Sequence, residues 1–167
     1  MNNTIDTSEK KIRSLLEKVT DPEIPVLSIL DLGLVREINV SDSETEVIIT
    51  PTYSGCPAMD VIRMNIQTTL LSHGYKNIKV TQALSPAWTT DWMSEEGKRK
   101  LKEYGIAPPN PRQQVCNQKL FEAAEAVQCP RCDSYHTHRV SEFGSTSCKA
   151  LYFCDHCKEP FDYFKSH

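Results

Sequence analysis

Two Cys-x-x-Cys pairs near the C-terminal end constrain this chain more than any other feature. Cys129-Pro-Arg-Cys132 and Cys154-Asp-His-Cys157 stand 21 residues apart. Each pair places two sulfurs on one tight turn, and two such turns can bring four thiolates to the corners of a tetrahedron around one ion. The spacing lies just beyond the usual window for paired knuckles, so a slightly long finger is expected between them. "YHTHRVSEF", "KALYF" and "PFDYF" are rich in aromatic and β-branched residues and predict the short strands of a zinc β-ribbon. A segment of about 40 residues buries too little apolar surface to fold unaided, so the metal is expected to supply much of its stability.

Compartment bears on those thiols. The opening "MNNTIDTSEKKIRSLLEK" lacks the apolar core of a secretory signal, and no later run is long enough to span a bilayer. The expectation is a cytoplasmic protein with no membrane partner. There, paired cysteines are metal ligands more often than disulfides, and an odd count of seven excludes an all-disulfide scheme. Zn2+ held by Cys129, Cys132, Cys154 and Cys157 is the favoured reading; a single iron or an iron–sulfur cluster uses the same four thiolates and stays open. A closed four-thiolate zinc has no position for substrate, which makes the ribbon a scaffold or docking module. His136, His138 and His156 lie near the knuckles and are expected at the surface.

The rest of the chain reads as a separate α+β layer, a small mixed sheet with helices packed on it. With 39% hydrophobic and 25% charged residues a packed core is feasible. A net charge of −3, with no basic block, argues against a nucleic-acid partner. Ile12, Leu15, Leu16 and Val19 recur at helical spacing. Ser28 is placed to cap the single turn "ILDL", which Gly33 ends. "LVREINV" and "TEVIITPTY" predict a hairpin across "SDSE". Met59, Ile62, Ile66 and Leu70 form one stripe of a helix that Pro57 begins and Gly74 stops. "KNIKVTQAL" predicts a third strand, and "SEEGKRKLKEYG" a short surface helix. Pro108, Pro109 and Pro111 mark a linker. The expected organisation is therefore residues 1–107 as the α+β domain, 108–126 as linker and 127–167 as ribbon.

Cys56 stands at the junction of a strand end and a helix start in "TYSGCPAMD". The backbone N–H groups and the helix dipole there are expected to favour its thiolate, the form that binds soft metals. The competing reading is an inert cysteine capping the turn. No activating base is adjacent, which argues against a covalent enzyme. Cys148, outside both knuckles, is read as a small buried side chain, with a spare metal-binding thiolate as the alternative.

"DPEIPVLSILDLGLVREINV" followed by "TPTYSGCPAMDVI" resembles the MIP18-type iron–sulfur assembly domain family. The matching elements are Asp21-Pro22-Glu23, the Asp31-Leu32-Gly33-Leu34 turn and Gly55-Cys56-Pro57. The likeness continues through "SPAWTTDWMSEEGKRKLKEYGIAPP" and the ribbon, where the chain is similar to the PaaD family of phenylacetate catabolism. That resemblance implies an accessory component of a system that converts phenylacetyl-CoA to its ring 1,2-epoxide. Such a system holds a di-iron oxygenase and a reductase carrying flavin and a [2Fe–2S] cluster. The accessory member helps to mature a metal centre and does not oxidise the ring. Cys56 then matches the family's reactive cysteine, with Asp21, Glu23 and Asp31 as its acidic motif, either acting or capping turns. Trp88 and Trp92 belong to the same signature and are expected to pack their loop onto the sheet.

The chain carries neither the paired Glu and Glu-x-x-His pattern of a di-iron site, nor a dinucleotide fingerprint, nor a plant-type ferredoxin run. Two readings follow. One is a maturation factor that holds a transient iron–sulfur cluster at Cys56, with epoxidase subunits or the assembly machinery as partners. The other is a stoichiometric structural subunit of the epoxidase. A cluster held by one Cys56 per chain implies a bridged homodimer.

Overall fold

The computed structural model describes residues 3–41, 43–109 and 127–165, with the side chains of 3–7 excepted. Residues 110–126, most of the expected linker, lie outside that range, and Cys116 with them. The chain divides into two compact units, residues 1–97 and 98–167.

In the first unit, helix α1 (Asn3–Leu16) precedes strands β1 (Val35–Val40) and β2 (Thr45–Ile49), which pair as the expected antiparallel hairpin. Helix α2 (Ala58–Ser72) then crosses over to β3 (Ile78–Gln82), which runs parallel to β2. The sheet order β1-β2-β3 is thus mixed. Buried Ile12 and Leu16 from α1 and Met59, Ile62, Ile66 and Leu70 from α2 form its core with Val47 and Ile49. The α2 stripe is the one its 3.6-residue period selects. Gly74 ends that helix at φ +86°, while the Tyr75 and Gly74 amides return to the Leu70 and Leu71 carbonyls, a left-handed cap.

Between α1 and β1 the chain folds into turns locked by side chains. The Asp31 amide donates to Ser28 Oγ and the Ser28 amide to Asp31 Oδ2, each at 3.0 Å, a reciprocal box around "ILDL". Gly33 closes the turn at φ +66°, as its position after the periodic residues predicts.

The second unit centres on a four-stranded sheet in the order β4-β7-β6-β5, built from β4 (Ile106–Ala107), β5 (Thr137–Ser141), β6 (Lys149–Cys154) and β7 (Pro160–Phe164). Helix α3 (Glu95–Tyr104) leads into β4. Because Ile106 and Ala107 pair with Asp162 and Tyr163, these two residues fold with the ribbon strands, and the division falls at 97, earlier than the expected boundary at 107. Tyr152 stacks on Phe161 at 5.9 Å and meets Tyr163 edge-on at 5.5 Å, filling one face of the sheet beside Cys129 and Cys154. Among the described residues no helix is long and apolar enough to cross a membrane.

Candidate functional site

The two knuckles repeat one backbone device. The Asp133 amide bonds to the Cys129 carbonyl and the Cys129 amide to the Ser134 carbonyl. Lys158, Cys154 and Glu159 repeat the pair. Asp133 at φ +59° and Lys158 at φ +62° are both left-handed, which curls each turn so that both sulfurs point inward. The four sulfurs lie within 4.8 Å of one another. A zinc ion with Zn–S bonds of about 2.3 Å needs tetrahedral edges of about 3.8 Å. Cys129–Cys157 at 3.8 Å and Cys132–Cys154 at 3.6 Å meet that requirement. The donor set and its geometry are those of a closed structural zinc site.

Cys157 and Cys154 are shifted in opposite directions. Burial and hydrogen bonds from the neighbouring sulfurs push Cys157 up to about 12. At Cys154 burial also opposes charge, but the amides of Cys157 and His156, together with hydrogen bonds from the Cys132 and Cys157 side chains, bring the thiol down to about 7. Metal binding at such a site releases the protons of its thiols.

Cys56 is arranged differently. It is half-buried at the head of α2, its carbonyl receiving the Met59 amide at 3.3 Å. The expected lowering by the helix terminus is present, through the Ala58 amide, and the Tyr53 side chain hydrogen-bonds the sulfur as well. Burial outweighs both, and the carboxylates of Glu23 and Asp21 add to it, so the thiol sits above its ordinary range. This corrects the sequence expectation of a ready thiolate: desolvation and two nearby negative charges beat the helix dipole. The same negative field favours a cation at the sulfur.

The acidic motif divides. Asp21 Oδ1 accepts the amides of Glu23 and Ile24, each at 2.8 Å, so it caps its own turn while its charge bears on the thiol. Asp31 is 8% exposed; Oδ2 serves Ser28 and Oδ1 accepts Ser94 Oγ at 3.1 Å. Cys148 is 5% exposed, outside the quartet, with its sulfur 3.0 Å from Thr146 Oγ1. His136, His138 and His156 are exposed, and His138 Nδ1 pairs with Asp155 Oδ2 at 2.9 Å.

Trp88 is 4% exposed, and Trp92 receives the Arg36 guanidinium 3.5 Å from its ring centroid. Both pack their loop, as expected. Tyr53 is a partner of Cys56 that the sequence does not single out: an aromatic three residues before a cysteine carries no signal until the turn folds it back.

Comparison with known proteins follows this division into an α+β unit and a ribbon. The iron–sulfur cluster assembly protein family matches residues 9–82, and the PaaD zinc beta ribbon domain family matches residues 113–165. A putative 1,2-phenylacetyl-CoA epoxidase subunit of Escherichia coli is 48% identical over 93% of this chain and 91% of its own length. An Fe-S protein maturation auxiliary factor of Porphyromonas gingivalis is 38% identical over 60% of this chain and 97% of its own. The crystal structure of a domain of unknown function, DUF59, from Bacillus anthracis superposes with a TM-score of 0.56 at 28% identity, over 59% of this chain and 94% of that one. With a zinc ribbon joined to an assembly-type α+β fold, the chain belongs to the PaaD family of phenylacetyl-CoA epoxidase components.

Proposed function

We propose that this chain is an accessory factor of a phenylacetyl-CoA epoxidase system, aiding maturation of an iron–sulfur or other metal centre in the oxygenase or reductase. Cys56 serves as the exchangeable sulfur, and the ribbon as a fixed module that docks. The observation that carries this reading is the contrast between sulfurs. Four lie within 4.8 Å of one another in a geometry a zinc ion saturates, and Cys148 is buried. Among the described cysteines outside the quartet, Cys56 alone stands half-exposed, at a helix head beside two carboxylates.

The chemistry follows from that contrast. Burial and the charges of Glu23 and Asp21 hold Cys56 as a thiol until a cation arrives. Iron, as cargo, is drawn by the same carboxylates and displaces the proton. The Ala58 amide and the helix terminus then stabilise the thiolate so formed. One sulfur from this chain holds cargo weakly, which suits a donor that must release it. The test is the iron and sulfide content of the reductase produced together with wild-type chain or with Cys56→Ser. A reductase with less cluster in the second case supports the reading; equal content refutes it.

The alternative, a stoichiometric structural subunit, gains from the apolar side chains left exposed on both units, among them Met64 and Phe143. It requires a fixed-ratio complex with the oxygenase on size-exclusion chromatography and indifference to Cys56→Ser.

A further inference from the structure

Helix α2 carries apolar side chains on its outer face as well as in its core stripe, the outer ones set among Asp60, Asn65 and Thr68. Its buried stripe, Met59, Ile62, Ile66 and Leu70, faces the sheet. Val61, Met64 and Leu71 recur at intervals of three and seven along another face and remain 44%, 65% and 58% exposed. That second stripe begins within two turns of Cys56. Leu84, 62% exposed, follows β3 at the end of the sheet where β2 also ends: β2 and β3 are parallel, and the Ala83 amide continues their pairing onto the Ile49 carbonyl. Leu84 thus leaves the sheet where the Cys56 loop also leaves it. Apolar side chains grouped on a solvent face offer a small surface that another molecule can cover.

We infer that the outer face of α2, from Val61 to Leu71, is the surface on which the protein receiving metal from Cys56 docks. This rests on the function proposed above and names its partner by chemistry: a cluster-free protein with ligating thiols set in an apolar surface rimmed by basic residues.

Two observations choose that occupant over a second copy of this chain. The first is area. From Val61 to Leu71 the helix offers a stripe about 15 Å long and about 10 Å wide, well below the roughly 800 Å² per partner of a standard stable interface. A contact of this size suits a brief encounter, as delivery requires. The second is charge. Glu23 and Asp21 bear on Cys56, while Asp60, one residue before Val61, is paired with Arg63 at 3.9 Å. Two copies would bring like charges together at the thiol, whereas a basic rim complements them.

The experiment measures binding of the full chain to cluster-free epoxidase reductase, with Val61→Glu, Met64→Glu and, as a charge control, Ser43→Glu on the exposed hairpin turn. Circular dichroism and zinc content report folding. Both stripe variants are expected to weaken binding about tenfold, as loss of a central apolar contact does, and Ser43→Glu to leave it unchanged. Unaltered binding by both stripe variants overturns the inference, as does failure of the wild type to bind. So does a wild-type dimer that Met64→Glu dissociates, which assigns the face to a second copy. Cys56→Ser separates this from the parent reading. If that variant lowers the reductase cluster content while Met64→Glu does not affect binding, only the docking face is lost. If Met64→Glu weakens binding while Cys56→Ser leaves the cluster intact, the delivery role is lost and the face stands.

Discussion

The indole N–H of Trp88 donates to the carbonyl oxygen of Leu32, 56 residues earlier, at 2.8 Å. Both groups are buried, and the bond fastens the loop after β3 to the turn that contains Asp31. The Ser94 amide and hydroxyl reach the Asp31 carbonyl and carboxylate to complete the latch. Trp88→Phe keeps most of the buried area and removes the donor, leaving a buried carbonyl unsatisfied. The expected loss is about 1–3 kcal/mol, read as a lower midpoint in urea with an unchanged slope.

Gly33 sits under the same latch. Its φ of +66° disfavours any side chain, and a Cβ there meets the Trp92 carbonyl oxygen at 2.1 Å. Gly33→Ala combines left-handed strain with backbone overlap, and is expected to cost at least about 3 kcal/mol. Thermal melts of the two proteins check this; a change under about 1 °C would mean the latch yields freely.

Zinc removal is expected to act on the ribbon alone. The strands of that sheet are short, and its core of Tyr152, Phe161 and Tyr163 leans on two of the ligand cysteines. Structural zinc contributes about 10–16 kcal/mol in comparable finger peptides. Chelation, or Cys154→Ser, should abolish the near-ultraviolet signal of the ribbon tyrosines. Emission from Trp88 and Trp92, both in the first unit, should persist. Joint loss of both signals would contradict an independent first unit.

Alkylation of Cys56 against pH tests the local field. Its thiol lies above the ordinary value, raised by burial and then by Glu23 and Asp21, so its reaction with iodoacetamide should reach half-maximal rate at a pH above about 8.5. The sign for stability is the same. The folded chain keeps the proton longer than the unfolded chain, so this group's contribution is constant below the unfolded value and declines as pH rises through the interval up to the folded one. Glu23→Gln should lower the alkylation midpoint. A midpoint below that of free cysteine would contradict this picture of the field.

Much of the fold and the site is legible in the residues. The knuckle spacing announces four converging sulfurs, because two residues between cysteines leave only a tight turn. The α2 stripe, the Ser28–Asp31 turn and the Gly33 and Gly74 stops follow from period and capping chemistry. Other features depend on contacts distant in sequence. The field at Cys56 comes from burial and from Glu23 and Asp21, more than thirty residues away, whereas its neighbours in the chain show only the helix terminus. The strand at Ile106–Ala107 is two residues long, too short for any period to show, and exists because β7 offers it an edge. The resemblance leaves open whether Asp31 acts or caps a turn; its oxygens accept from the Ser28 amide and the Ser94 hydroxyl, and Ser94 is 63 residues away.

The division of labour among sulfurs is tested most directly by metal analysis after anaerobic reconstitution with iron and sulfide. Wild type, Cys56→Ser and Cys148→Ser are compared. Close to one zinc per chain is expected in all three, with iron retained by wild type and Cys148→Ser and lost from Cys56→Ser. Equal iron in Cys56→Ser, or iron replacing zinc in the quartet, would contradict that division.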